Sequence, residues 1–118
     1  MVKINKMVGP EDAEILAKLE KMNIGGSVKD RLGHYLIMDA EKKYPDIKDR
    51  TIIEATSGST GIALAMIGAL KGYKVTIIMP AGVSLERRKI IRAYGAELIL
   101  SPAEEGTGGA IALKKDII

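Results

Sequence analysis

Thr56-Ser57-Gly58-Ser59-Thr60 places four hydroxyls around one glycine. The segment lies between a β-branched run, residues 51–55 (TIIEA), and a stretch of small and apolar residues that begins at Gly61. That pattern suits an anion. A chain leaving a strand and entering a helix presents unpaired N–H groups and the positive end of the helix dipole. Gly58 and Gly61 permit close backbone approach, and the hydroxyls of Thr56, Ser57, Ser59 and Thr60 supply further donors. A plain strand-to-helix turn with a hydroxyl cap meets the same description, and spacing alone does not separate the two. Two familiar anion loops are excluded. There is no G-x-x-x-x-G-K-[ST], so no nucleoside-triphosphate loop. The dinucleotide fingerprint G-x-G-x-x-G is also absent, and the following strand ends in Met79-Pro80 rather than in an acid that would meet a ribose.

A second group of chemistry-bearing residues is Gly25-Gly26-Ser27-Val28-Lys29-Asp30-Arg31. Ser27 is a good N-cap, and Asp30 three residues later completes a capping-box-like pair. Lys29 then falls in a first helical turn, where the dipole disfavours a cation. If such a lysine is also desolvated, its amine becomes a nucleophile or base near neutral pH. A solvated lysine on a capped helix fits the same residues. Other chemistries are closed. With no cysteine there is no disulfide, thiol catalysis or thiolate metal site. With His34 as the one histidine, no metal centre is expected.

The elements that must position these groups follow from periodicity. VKINK and EILAKLE read as strands on either side of the acidic turn GPEDA. A helix runs from Ser27 to a stop at Pro45, with Val28, Leu32, Tyr35 and Leu36 as its inward stripe. Strands TIIEA, YKVTIIMP and AELILSP then alternate with helices STGIALAMIGALKG, closed by Gly72, and SLERRKIIRAYG, closed by Gly95. GGAIALKKDII opens one more helix. Strands that are nearly all apolar, in strict alternation with helices, predict an α/β fold. The expected architecture is a three-layer α/β/α sandwich on a mainly parallel sheet with right-handed crossovers. Ile90, Ile91 and Tyr94 are expected to face inward on their helix, with the arginines solvated. Met22, Met38, Met66 and Met79 are expected as core gap-fillers, Tyr35 as a core contact and His34 as a surface residue.

The 118 residues amount to a single α/β domain, 1–118. Two features point to a piece of something longer. The last helix reaches Ile118 without a capping glycine and ends on two isoleucines. The helix after Ser59 is apolar on every side, as befits one in the middle of a protein. The net charge of +3 is small. The one basic cluster, residues 86–95, carries no interleaved aromatics, so no nucleic-acid partner is expected. No signal peptide or membrane-length apolar run is present, and a cytoplasmic protein with no membrane partner is the expectation.

Three segments decide between these readings. NIGGSVKDR (residues 23–31), EATSGSTGIALA (54–65) and SLERRKIIRAYGAELIL (84–100), in this order and spacing, resemble the cysteine synthase (O-acetylserine sulfhydrylase) family. These are fold type II, tryptophan-synthase-β-like pyridoxal-phosphate enzymes, with cystathionine β-synthase a close relative. The likeness runs from about Val2 to the end. It implies a pyridoxal 5'-phosphate cofactor bound by Lys29 as a Schiff base, with Lys29 also moving the substrate's Cα proton. It implies that Thr56, Ser57, Gly58, Ser59 and Thr60 bind the α-carboxylate of an amino-acid substrate. The implied reaction is β-replacement on an activated serine, O-acetylserine plus sulfide giving cysteine. Ser59 stands where the family has an asparagine that also contacts the cofactor, and Ile24 stands where it has a proline. Family members are more than twice as long. The resemblance therefore implies that the chain is the N-terminal, mobile portion of a longer enzyme, that the C-terminal domain, with its loop for the cofactor phosphate, is absent, and that the chain by itself is weak or inactive. EGTGGA (residues 105–110) looks like that loop but falls at the wrong place in the order and reads as a helix start. Homodimerisation or association with a missing second segment is the partner expectation. A non-catalytic anion-binding or assembly module is the alternative.

Overall fold

The computed structural model describes all residues, 1–118. Its centre is one strand. Lys74–Pro80 is buried from Val75 onward, because KVTIIMP offers apolar side chains to both faces of a sheet. Thr51–Ala55 and Glu97–Ser101 flank it, both parallel to it. The register pairs Ala55 with Ile78, and Ile78 with Ile99.

We number the elements β1 (Val2–Lys3), β2 (Leu16–Ala17), α1 (Lys29–Lys43), β3 (Thr51–Ala55), α2 (Ser59–Lys71), β4 (Lys74–Pro80), α3 (Leu85–Ala93), β5 (Glu97–Ser101) and α4 (Gly106–Ile117). The pleat sorts β4 into two sets. Val75, Ile77 and Met79 meet Ile62, Leu64, Ala65 and Ile67 of α2 and Ile91 of α3. On the other face, Ile78 and Ala55 meet Ala110 of α4. The predicted three-layer sandwich is therefore present, with α4 alone on its face. α1 lies on the outer side of α2 and sends Ile37 into the larger core.

α1 and α2 touch where side chains are smallest. A methyl group at Gly33 would stand 3.0 Å from Ala63 Cβ. Further along, Lys71 Nζ pairs with Glu41 Oε1 at 2.6 Å. Both contacts join residues thirty apart, so the two helices run side by side in the same direction. Gly72, at φ +74°, ends α2 in a conformation that favours glycine.

Several expectations are corrected. The two N-terminal strands shrink to two residues each and pair antiparallel in a separate small sheet, because no helix covers them. α1 begins at Lys29 rather than beside Ser27. Its buried face is Gly33 and Ile37, whereas Val28, Leu32, Tyr35 and Leu36 are exposed, Tyr35 at 68%. The close approach at Gly33 dictates that rotation, and the larger apolar stripe is left outside. Met22 is exposed at 76%, Met38 and Met66 are half-buried, and only Met79 is a full core residue. In α3, Ile91 is buried and Tyr94 half-buried, but Ile90 is exposed. Arg88 is not simply solvated: its Nη2 donates to Ala81 O and ties α3 to the end of β4. The stop before Pro45 and the closures at Gly72 and Gly95 stand where periodicity puts them.

Candidate active site

The loop at residues 56–58 continues β3. Thr56 N–H donates to Ile78 O at 2.9 Å, one more rung of the ladder before the chain turns. The Thr56 side chain is buried, with its Oγ1 accepting the Gly58 N–H at 3.2 Å. The methyl side of Thr56 faces Gly61, where a Cβ would come within 2.7 Å of Thr56 Cγ2 and 3.0 Å of Ile77 Cγ2. Gly61 thus lets α2 start directly on the end of the sheet. Ile62 N–H bonds back to Gly58 O at 3.3 Å, which leaves the N–H groups of Ser59, Thr60 and Gly61 in the unpaired first turn. Ser59 and Thr60 are half-buried and Ser57 is exposed. The donors gather at the carboxyl end of a parallel sheet, where ligands of such folds bind.

The loop before α1 is closed by different means. Asn23 Nδ2 donates to Glu20 Oε2 at 2.6 Å and to Ser27 O at 2.9 Å, while Gly26 N–H reaches Asn23 O at 2.8 Å. Arg31 Nη2 meets Glu20 Oε1 at 3.2 Å. The N-cap is Val28 rather than the expected Ser27, although Ser27 Oγ accepts the Lys29 N–H at 3.1 Å. Asp30 does not complete a box with Ser27. It accepts the Gly25 N–H at 2.7 Å, with Oδ1 buried in the space a Gly25 side chain would take. Asn23 first, and Arg31 beside it, hold the Glu20 carboxyl below its usual range, against the opposing effect of desolvation.

The parallel alignment of α1 and α2 brings the two loops together. Gly33 lies at Ala63 and Glu41 at Lys71; carried back one turn, the same offset sets Lys29 level with Ser59. Two helix N-termini, one bearing the half-buried Lys29 and the other the hydroxyl loop, open at the same end of the molecule. Their dipoles add at that end and favour an anion there. The chemistry this permits is an amine beside a carboxylate cradle.

Neither cavity of the molecule is lined by Lys29 or by residues 56–60. The largest cleft, about 480 Å³, is lined by Met22, Asn23, Ile24, Asp30, Arg31 and His34 and includes none of residues 56–60. A second groove of about 370 Å³ is wholly apolar, between Ile24, the outer side of α2 and Tyr94. EGTGGA is the start of α4 in the structure, with the Glu105 carboxylate packed over Gly109.

One residue near the loop escaped the reading of the sequence. Arg87, in the first turn of α3, reaches Ser57 O with Nη1 at 3.3 Å. The signal was present: a cation in a first helical turn is disfavoured by the dipole, and the argument that singled out Lys29 applies equally to Arg87.

Comparison with known proteins agrees with this geometry. Residues 1–117 match the family described as pyridoxal-phosphate dependent enzyme. The chain is 56% identical over 111 residues to the cysteine synthase of Flavobacterium sp. (strain K3-15), covering 94% of this chain and 36% of that protein. It is 51% identical over 110 residues to cysteine synthase B of Escherichia coli (strain K12), covering 93% and 36% respectively. The crystal structure of O-ureido-L-serine synthase superposes with a TM-score of 0.88 at 43% identity, covering 98% of this chain and 36% of that one. The chain thus spans about a third of the length of these relatives. The family match over residues 1–117, with a fold shared along nearly the whole chain, places it in the pyridoxal-phosphate dependent enzyme family.

Proposed function

We propose that this chain carries the lysine and the substrate-carboxylate loop of a pyridoxal-phosphate β-replacement enzyme of the cysteine synthase kind, which converts an activated serine such as O-acetylserine, with sulfide, to cysteine. The observation that supports it most is the common register of α1 and α2, which sets Lys29 level with Ser59. The residues present suit the cofactor's aldehyde and the substrate's carboxylate: one amine, and a set of hydroxyl and N–H donors on a helix start. They do not supply a phosphate cradle at residues 105–110, where Glu105 covers the helix start with a like charge. The 118 residues are on this reading the N-terminal domain, and weak or inactive alone.

The cofactor, when bound, supplies the electron sink for a carbanion at Cα. The chain's own residues do the rest. Lys29 Nζ would hold the cofactor, and as a free amine it would hold and return the Cα proton. The first-turn N–H groups of α2 and the hydroxyls of Thr56, Ser57, Ser59 and Thr60 would hold the carboxylate, with Gly58 forming the turn between them. The buried sheet end beneath Thr56 keeps that cradle fixed. Ser59 is shorter than the family's asparagine, so its contact with the cofactor would run through a bridging water.

The chain is treated with pyridoxal phosphate, reduced with borohydride and mapped by mass spectrometry. Label confined to Lys29, and lost in Lys29→Ala, is the expected result. Label spread over the surface lysines overturns the reading.

A second reading, an assembly module, is favoured by the apolar groove, where Ile24 is 89% and Leu70 85% exposed. A homodimer, or the remaining segment of a longer cytoplasmic enzyme, would cover it. Self-association in sedimentation without any Lys29 label would make assembly the better account.

A further inference from the structure

We infer that Arg87 is a positioning residue for the carboxylate loop: it locks the Ser57–Gly58 peptide plane and so sets the direction of the donors that follow. The inference deepens the carboxylate reading of residues 56–60 and rests on it. A trans peptide points its C=O and N–H to opposite sides of one plane. On one side, Ser57 O accepts from Arg87 Nη1 at 3.3 Å. On the other, Gly58 N–H donates to Thr56 Oγ1 at 3.2 Å. The plane is therefore gripped from both sides, by a buried threonine and by an arginine from another helix.

The grip matters because of Gly58. A Cβ there would stand 3.2 Å from Arg87 Cζ and Nε, so the guanidinium lies flat over the glycine, which leaves space for it. Glycine also leaves the preceding peptide free to flip at little steric cost. The next plane is already fixed, since Gly58 O accepts from Ile62 N–H and turns the Ser59 N–H outward from the helix start. The Ser57–Gly58 plane takes a hold from outside the segment. Arg87 supplies it, from a first-turn position that costs α3 some dipole energy and that nothing else in α3 explains.

The test uses the ¹⁵N-labelled chain and two readouts. Amide hydrogen exchange at Gly58 reports the plane, and a titration with L-serine, followed at the Ser59 and Thr60 amides, reports the cradle. Arg87→Gln is expected to speed Gly58 exchange about fivefold and to weaken L-serine binding by a similar factor, the scale of one modest hydrogen bond. Arg87→Lys, which keeps a donor able to reach Ser57 O, restores most of both. Arg92→Gln, exposed on the same helix, changes neither. Unchanged Gly58 exchange in Arg87→Gln overturns the inference, and so does an equal acceleration in Arg92→Gln, which would mean that α3 as a whole had loosened. If the parent chain gives no response to L-serine, the carboxylate reading fails while the exchange comparison still decides the role of Arg87.

Discussion

Residues 23–28 and residues 56–58 each deliver the chain to a helix N-terminus at the same end of the molecule, one across an exposed surface and the other off a buried strand. The first is held by polar side chains, with Asn23, Glu20, Arg31 and Asp30 closing the turn before Lys29. The second is held mainly by shape, with the Thr56 hydroxyl and Arg87 fixing one peptide plane. Thr56 is a rung of the sheet, Gly61 lets α2 touch it, and Ile77 fills the floor. Polar bonds at a surface are individually weak and respond to pH, whereas core packing is strong and does not. The loop before Lys29 is thus adjustable and the loop after β3 rigid, a division that suits the proposed roles of an amine that moves and a cradle that does not.

The strongest way to break that contrast is through the floor. Ile77→Ala removes a fully buried side chain and is expected to cost about 2–5 kcal/mol in urea denaturation. Before global unfolding, the Thr56–Gly61 amides should lose protection while those of residues 23–28 do not. Equal loss in both loops would mean that they are not independently held.

A matched pair of glycines sharpens the contrast. At Gly61 a methyl group meets two buried side chains, at 2.7 and 3.0 Å, with nowhere to move. Gly61→Ala should cost about 1–3 kcal/mol by overpacking, and should weaken L-serine binding. At Gly25 the obstacle is the end of the Asp30 side chain, which can swing away at the expense of its bond to the Gly25 N–H. Gly25→Ala is expected to cost about 1 kcal/mol and to leave the α2 loop untouched. A larger loss at Gly25 than at Gly61, in paired urea titrations, would reverse the assignment of which loop is rigid.

How far the sequence could be read follows the same division. The α/β class and the three parallel strands were legible because β4 is apolar on both faces and glycines close α2 and α3. The inward face of α1 was not. Val28, Leu32, Tyr35 and Leu36 make the larger apolar stripe, but the helix turns so that Gly33 meets Ala63, and a contact made by a missing side chain leaves no hydrophobic signature. Both candidate loops were legible as residue types. Their common register was not, because it depends on which residues of α1 and α2 touch. Asp30 was legible as a capping residue, yet its partner is Gly25, since a turn through Gly25-Gly26 brings that N–H nearer than the Ser27 N–H. Arg87 was passed over because its cluster was weighed only as a charged face.

The smallest expected effect is a selective response of the first loop to acid. The Glu20 carboxyl is held below its usual range, chiefly by the hydrogen bond from Asn23 and also by Arg31. A carboxyl whose folded pKa is lowered contributes stability that is complete above its ordinary value and is lost as the pH falls through the lowered one. Acidification below the usual glutamate range should therefore release Asn23 and Arg31 and shift the Gly26 and Ser27 amides, while Thr56 and Gly58 stay still. Glu41, also lowered, by Lys71 and Tyr73, titrates in the same direction at the far end of the α1–α2 contact, so acid alone does not isolate Glu20. Glu20→Gln does. It keeps an acceptor for Asn23 but removes the charge that holds Arg31, and at neutral pH it should reproduce only part of the acid shift at Gly26. A Gly26 shift that survives in full in the Glu20→Gln chain would transfer the effect to Glu41 and the helix contact. The pH-sensitive element would then be the register between Lys29 and Ser59 rather than the loop that carries the lysine.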